Sequence, residues 1–165
     1  MEIDLCVSSA PEAADVAQIQ SLIRAETLAR SGQPEDRDLA VEARRHGELL
    51  GACYGGTWGA TCELESLWVS PDLRRSGLGT RLLEAAEFEA ARRGCQQVVL
   101  LTHRIQVPGF YEQRGYEIVG RVDNYPSGSD ALWYRKRLYR SAWICFQPVS
   151  RGCRELDADG DDRRP

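Results

Sequence analysis

The sequence is almost without lysine: Lys136 is the only one among 21 basic residues, the rest being arginine. No G-K-[ST] triplet occurs, which excludes a Walker A phosphate loop. Histidine is scarce too, with only His46 and His103, and no C-x-x-C pair joins the six cysteines. That combination supplies no metal-ligand spacing, so no metal is expected, and Cys6, Cys53, Cys62, Cys95, Cys145 and Cys153 read as small hydrophobes of a reducing compartment. Apolar runs of about 18 residues and a basic-then-apolar leader are both missing, which points away from membrane spanning and secretion and toward the cytoplasm. A net charge of −4 with both signs interspersed gives no basic field for nucleic acid or a membrane surface. Partners are therefore expected among small molecules or local protein surfaces. What is present is 165 residues, 42% of them hydrophobic, enough for one buried core.

The spacing of apolar residues predicts the elements. "IDLCV", Ile3 to Val7, alternates as a short strand, and a helix follows from near Ser8 or Ser9 to a stop at Gly32, with Val16, Ile19, Leu22 and Ile23 on one face. Leu39, Val41 and Ala43 share one side of a second strand that ends at the turn His46-Gly47. "ELLGACYGGTW" and "TCELESLWV" read as strands three and four. Ser76 to Arg93 is a helix, with Leu78, Leu82, Leu83, Ala86 and Ala90 at helical spacing and Gly94 as its left-handed cap. "QQVVLLT" is a buried strand, "VPGFYEQRG" a short helix, and "YEIVGRV" and "ALWYRKRL" two further strands. The order implies an α/β (α+β) domain over residues 1–138, a mixed central sheet flanked by helices. Residues 139–165 read as a partly mobile extension, although Trp143, Ile144 and Phe146 offer a small apolar patch.

The stretch "VSPDLRRSGLGTRLL" places R-x-x-G-x-G, Arg74, Gly77 and Gly79, between a strand and a helix. Glycines there permit tight turning, and the helix start presents unpaired N–H groups and a positive dipole end, which suits a phosphate or pyrophosphate. A dinucleotide fingerprint needs a third glycine where Leu82 stands, so that reading fails. A glycine-assisted turn with solvated arginines is the plain alternative.

The surrounding residues resemble the GNAT superfamily of N-acetyltransferases. "ELESLWV" before "SPDLRRSGLGTRLL" is similar to that family's acetyl-CoA motif, and "PGFYEQRGYEIVG" to its "FY-x-x-x-GF" segment, over roughly Leu39 to Leu138. The resemblance implies a largely antiparallel mixed sheet splayed between strands four and five, with acetyl-CoA in the splay. The cosubstrate would then run along Leu67, Trp68 and Val69, with its pyrophosphate on the backbone N–H groups of Arg74, Arg75, Ser76, Gly77, Leu78, Gly79 and Thr80. The Val69 N–H would hold the acetyl oxygen, and Tyr111 would stand near the thioester sulfur as general acid. Many relatives carry an asparagine seven residues before that tyrosine, where it contacts the pantetheine arm; Arg104 stands there in this chain and could reach a phosphate instead.

Acetyl transfer to an amine also needs a base. A period of two along "ELESLWV" predicts Glu63, Glu65, Leu67 and Val69 on one face, and Glu63 stands where some family members place the general base. Glu63 or Glu65 could act directly or through water, could hold a cationic substrate, or could simply belong to a solvated face. His103 could assist or line the site; His46 belongs to a turn. Loops "RSGQPEDRD" and "VDNYPSGSDALWY" carry acids (Glu35, Asp36, Asp123, Asp130) and aromatics (Tyr125, Trp133) suited to a cationic amine, either a small molecule or a protein amine. The resemblance also allows a homodimer. A catalytically idle acyl-CoA-binding module and an O-acetyltransferase are the alternative functions.

Overall fold

The computed structural model describes residues 5–32, 36–106 and 109–139. Its strands are β1 (Arg37–Arg45), β2 (Glu48–Trp58), β3 (Thr61–Val69), β4 (Gln97–His103), β5 (Glu117–Val122) and β6 (Ala131–Arg137), joined in one sheet of order β1-β2-β3-β4-β6-β5. All neighbours are antiparallel except β3 and β4. Two α-helices, α1 (Ala13–Ser31) and α2 (Leu78–Arg92), and two 3₁₀ turns, Pro71–Leu73 and Glu112–Arg114, complete the described elements, so the architecture is the mixed, largely antiparallel α/β sheet that the sequence implies.

Helical periodicity explains α2. Leu82, Leu83, Ala86 and Ala90 fall on one stripe and are buried against Leu39, Cys53, Cys62, Leu64, Val98 and Leu100 from four strands. Gly94 beyond its end takes φ +89°, as a left-handed cap requires. Burial pushes the Cys53 and Cys62 thiols up to about 12, so both stay protonated and behave as apolar filler. At the β1–β2 turn His46 and Gly47 both take positive φ, 50° and 84°, the geometry of a two-residue hairpin.

Several expectations shift. Of the strand expected over Ile3 to Val7, Ile3 and Asp4 lie outside the described residues and Leu5–Val7 belong to no strand; α1 begins at Ala13, several residues after Ser8 and Ser9, while Gly32 does close it in a left-handed conformation. Of the helix expected over "VPGFYEQRG", Val107 and Pro108 lie outside the described residues, and the described part holds only a 3₁₀ turn at Glu112–Arg114, closed by Gly115 at φ 81°. Residues 140–165, with Trp143, Ile144 and Phe146, lie outside the described residues, and so does the expected character of the extension.

The largest difference concerns β3. Tyr54 pairs with Ser66 and Gly55 with Leu64, so Glu65 is an extra, unpaired residue, a β-bulge. Cys62 and Leu64 point into the core and Glu63 and Glu65 away from it; after the bulge the phase reverses, and Leu67 and Val69 pack toward the core while Trp68 is exposed. The four residues expected on one face are therefore split between two. Gly55 makes the bulge possible, because a β-carbon there would lie 2.0 Å from the Glu63 carbonyl oxygen, a backbone atom. Gly55→Ala is accordingly expected to lower stability by about 1–3 kcal/mol, read as a lower urea midpoint, and an unchanged midpoint would show that the strands absorb the clash.

Candidate active site

β3 and β4 pair only where Thr61–Leu64 meet Gln97–Leu100. Beyond that, β3 stays with β2 out to Val69 and β4 stays with β6 out to His103, so the sheet opens between them. The phase of the ladders decides what the gap displays. Ser70 donates to the Leu50 carbonyl, which makes that couple the hydrogen-bonded kind, and the next couple, Gly51 and Val69, the other kind. The N–H and C=O of Val69, and by the same alternation those of Leu67, therefore point away from β2 and into the opening. Arg74 Nε, 3.5 Å from the Val69 carbonyl oxygen, approaches from that side.

The opening is a cleft of about 880 Å³. Leu67, Trp68 and Val69 form one wall, Leu101 and Thr102 the other, and the loop after β3 with the first turn of α2 closes one end through Arg74, Arg75, Gly77, Gly79 and Thr80. The loop is built to expose donors. Arg75 (φ 61°) and Gly77 (φ 86°) both take left-handed conformations, which a glycine adopts freely and an arginine does not. Ser76 Oγ donates to the Leu73 carbonyl at 2.6 Å and fixes the turn, and Arg81 N–H reaches back to Gly77 at 3.1 Å to start the helix. Among the described residues, the N–H groups of Arg75, Gly77, Gly79 and Thr80 make no backbone hydrogen bond. Four orphan donors at the positive end of a 15-residue helix form an anion cradle. Ser76 and Leu78 are framework instead, since Leu78 packs toward the core.

Tyr111 enters from the far side, just before the 3₁₀ turn. Its ring is buried between Phe110, Tyr116 and Tyr134, at centroid distances of 5.0, 5.5 and 5.5 Å. Its hydroxyl has no partner among the described residues, although the residue lines the cleft. Burial, and secondarily Cys53, pushes the phenol up to about 12. Sequence reasoning missed Arg114. Its guanidinium lies 3.8 Å over the Phe110 ring, donates to the Phe110 carbonyl at 2.6 Å and to Thr80 Oγ1 at 3.0 Å, and so ties the turn that carries Tyr111 to the helix start that carries the cradle. No spacing rule marks such an arginine, because its partners are 34 and 4 residues away.

A second cavity, of about 380 Å³, lies between α1 and the opposite sheet face. Asp36, Glu63, Glu65 and Trp58 line it, with Arg24, which pairs with Asp36 at 3.1 Å, as its one cationic side chain. Glu65 lines both cavities, whereas Glu63 lines only this one. The structure thus brings Tyr111 and Glu65 to the cleft and leaves Glu63 a step behind. Arg104 does not line it; its Nε is 3.4 Å from Asp130, whose carboxylate also meets Arg121 at 3.1 Å. His103 Nδ1 is 3.0 Å from the Tyr125 carbonyl, so that nitrogen carries the proton. Of the acids and aromatics named in the loops, Asp36 alone lines either cavity, and Glu35 lies outside the described residues. Among the described residues no group of histidine, cysteine and carboxylate side chains could hold a metal ion, and no helix is long and apolar enough to cross a membrane.

Comparison with known proteins agrees with this geometry. Residues 9–116 match the profile of the acetyltransferase (GNAT) family. The chain is 35% identical over 106 residues to blasticidin-S acetyltransferase of Streptomyces morookaense, covering 61% of this chain and 78% of that protein. A crystal structure from Agrobacterium tumefaciens assigned to the acetyltransferases superposes with a TM-score of 0.75 at 28% identity, covering 82% of this chain and all of the other. A Bacillus anthracis structure assigned as a streptothricin acetyltransferase, solved with acetyl coenzyme A, shares the fold at a TM-score of 0.55 and 23% identity, over 61% and 62% of the two chains. A sheet splayed at an anion cradle and a family profile over most of the described chain lead to one conclusion: the chain belongs to the GNAT family of acetyltransferases and is an acyltransferase.

Proposed function

We propose that the protein is an acetyl-CoA-dependent N-acetyltransferase that modifies a primary amine on a cationic small molecule. One observation carries the reading: the donor cleft and the acidic cavity share a wall at Glu65. Three carboxylates against one guanidinium favour a cationic acceptor, and Trp58 offers it a flat apolar surface. The relative named for blasticidin S supports a small molecule over a protein amine.

Bound acetyl-CoA supplies an activated thioester. The cradle from Arg75 to Thr80 holds its pyrophosphate, and the Val69 N–H faces the position of the acetyl oxygen, where a donor counts most as charge develops. Glu65 takes the proton that the attacking ammonium must lose, and Glu63 and Asp36 hold the acceptor's remaining positive charge. As the new C–N bond forms and the C–S bond breaks, Tyr111 donates a hydrogen bond to the departing thiolate, and the second proton shed by the acetylated nitrogen passes to that sulfur, giving free CoA and the amide.

The test is an amine panel including blasticidin S, polyamines and amino acids, read by release of free CoA. Glu65→Gln is expected to lower kcat/KM about 100-fold, while Glu63→Gln raises KM for the cationic acceptor about tenfold with little change in kcat. Equal turnover in the Glu65→Gln variant would sink the base assignment. Tight acetyl-CoA binding with no amine acetylated would favour an acyl-CoA-binding module, and acetylation of hydroxyl groups only would favour O-transfer.

A further inference from the structure

The acidic cavity holds a cation of its own. Arg24 Nη1 lies 3.1 Å from Asp36 Oδ1, and among the residues that line the cavity Arg24 alone carries a positive charge. The pair is loosely made. That oxygen is buried, yet the guanidinium meets it without the alignment of a hydrogen bond, and the arginine side chain is 54% exposed, so the contact contributes little. The helix that carries Arg24 is held lightly as well: α1 has no buried residue, and Ile19, Leu22 and Ile23 are all exposed. Strand register places Asp36 far from the reacting end. Arg37 pairs with Thr57 and Trp58 with Thr61, so Asp36 is level with the turn between β2 and β3, while Glu65 stands four residues beyond Thr61, roughly 13 Å away at the rise of a strand.

We propose that Arg24 is a built-in competitor for Asp36, displaced by an acceptor that carries a second cationic group remote from the amine to be acetylated. The inference rests on the cationic acceptor proposed above and names what selects it. The amine beside Glu65 must give up its charge to react, so the charge that Asp36 holds belongs to a different group. An ammonium or guanidinium at that end exchanges one ion pair for another, and the released Arg24 turns into the water that already reaches it. A monocation offers no such exchange: it reaches Glu65 while Arg24 keeps Asp36. An anionic group on the acceptor would seek Arg24 instead, but Asp36, Glu63 and Glu65 line the same cavity and repel it. Arg24 thus discriminates between acceptors of one charge and two without touching the reacting atoms.

Calorimetry with 1,8-diaminooctane and octylamine, in the presence of CoA, tests the exchange: the extended diamine sets its nitrogens roughly 10 Å apart, and the monoamine lacks the second charge. Arg24→Gln, at an exposed helix position that glutamine suits, is expected to keep the parent's thermal midpoint. It is expected to tighten the diamine about three- to fivefold and to leave octylamine within about twofold of the parent. Asp36→Asn should weaken the diamine, and adding Arg24→Gln to it should bring no further tightening, because the two residues act as a pair. Diamine affinity unchanged in Arg24→Gln would overturn the inference, and weaker affinity would overturn it by showing that Arg24 itself binds the acceptor. Equal tightening of both amines would also overturn it, leaving only a general gain in negative charge. If the unaltered protein acetylates no amine of the panel, the acceptor reading falls, and the inference with it.

Discussion

Tyr111→Phe is expected to lower kcat about 100-fold while leaving the Kd for acetyl-CoA and the fold nearly unchanged. Phenylalanine retains the ring that packs on Phe110, Tyr116 and Tyr134, and the hydroxyl it deletes has no protein partner among the described residues, so no buried group is orphaned. The loss therefore falls on the reacting atoms. Its pH dependence follows from burial. A phenol raised to about 12 is a weaker acid than an ordinary thiol, near 8.5, so in the proposed reaction Tyr111 would stabilise the departing sulfur by hydrogen bonding without surrendering its proton. The group stays protonated below the ordinary phenol value and titrates only as pH rises through about 12. Parent and variant rates should thus run parallel from about pH 6 to 10. A loss of threefold or less in kcat would remove Tyr111 from the chemistry, and a gap that closes near pH 9 would show a phenol titrating as a proton donor.

Where apolar residues recur with a regular period, the fold was legible in the chain. Leu82, Leu83, Ala86 and Ala90 announce α2, and Gly32, Gly94 and Gly115 mark ends that do take positive φ. The loop between β3 and α2 was legible too, because Arg74, Gly77 and Gly79 mark a turn between a strand and a helix. The bulge was not. "ELES" alternates the same way whether or not one residue is extra, and the extra residue is decided across the ladder, by Gly55 allowing the Glu63 carbonyl to approach. That single offset changes the candidate base: counting along the strand favours Glu63, and the cavities meet at Glu65. Arg114 was invisible for a related reason: its partner Thr80 is brought near only by folding.

Lys136→Met is expected to destabilise the protein by about 3–5 kcal/mol near pH 8, the largest stability effect of any single change considered. Lys136 is the only lysine, and its Nζ meets Glu87 Oε2 at 2.6 Å while the Tyr116 hydroxyl donates to Oε1 at 2.9 Å. Glu87 lies on α2 with 1% of its surface exposed, among the apolar residues that join the helix to the sheet. Burial pushes its carboxyl above the usual carboxylate range, opposed by Lys136 and Tyr116, so the ion pair is what keeps a charge tolerable there. Methionine supplies the volume without the charge. The sign with pH follows from a folded-state pKa above the unfolded one: the group's contribution is fully present below the unfolded value and is lost as pH rises through the folded value. Without Lys136 that folded value moves up further, so the deficit should shrink as pH falls and Glu87 takes up a proton, and widen as pH rises. Adding Glu87→Gln to the methionine variant keeps an acceptor for Tyr116 and removes the uncompensated charge, and urea unfolding should then recover more than half of the loss and flatten its dependence on pH. A single variant whose deficit is the same at pH 5 and pH 8 would mean that Lys136 serves by packing alone, and that α2, which carries the cradle at its other end, is not held to the sheet by charge.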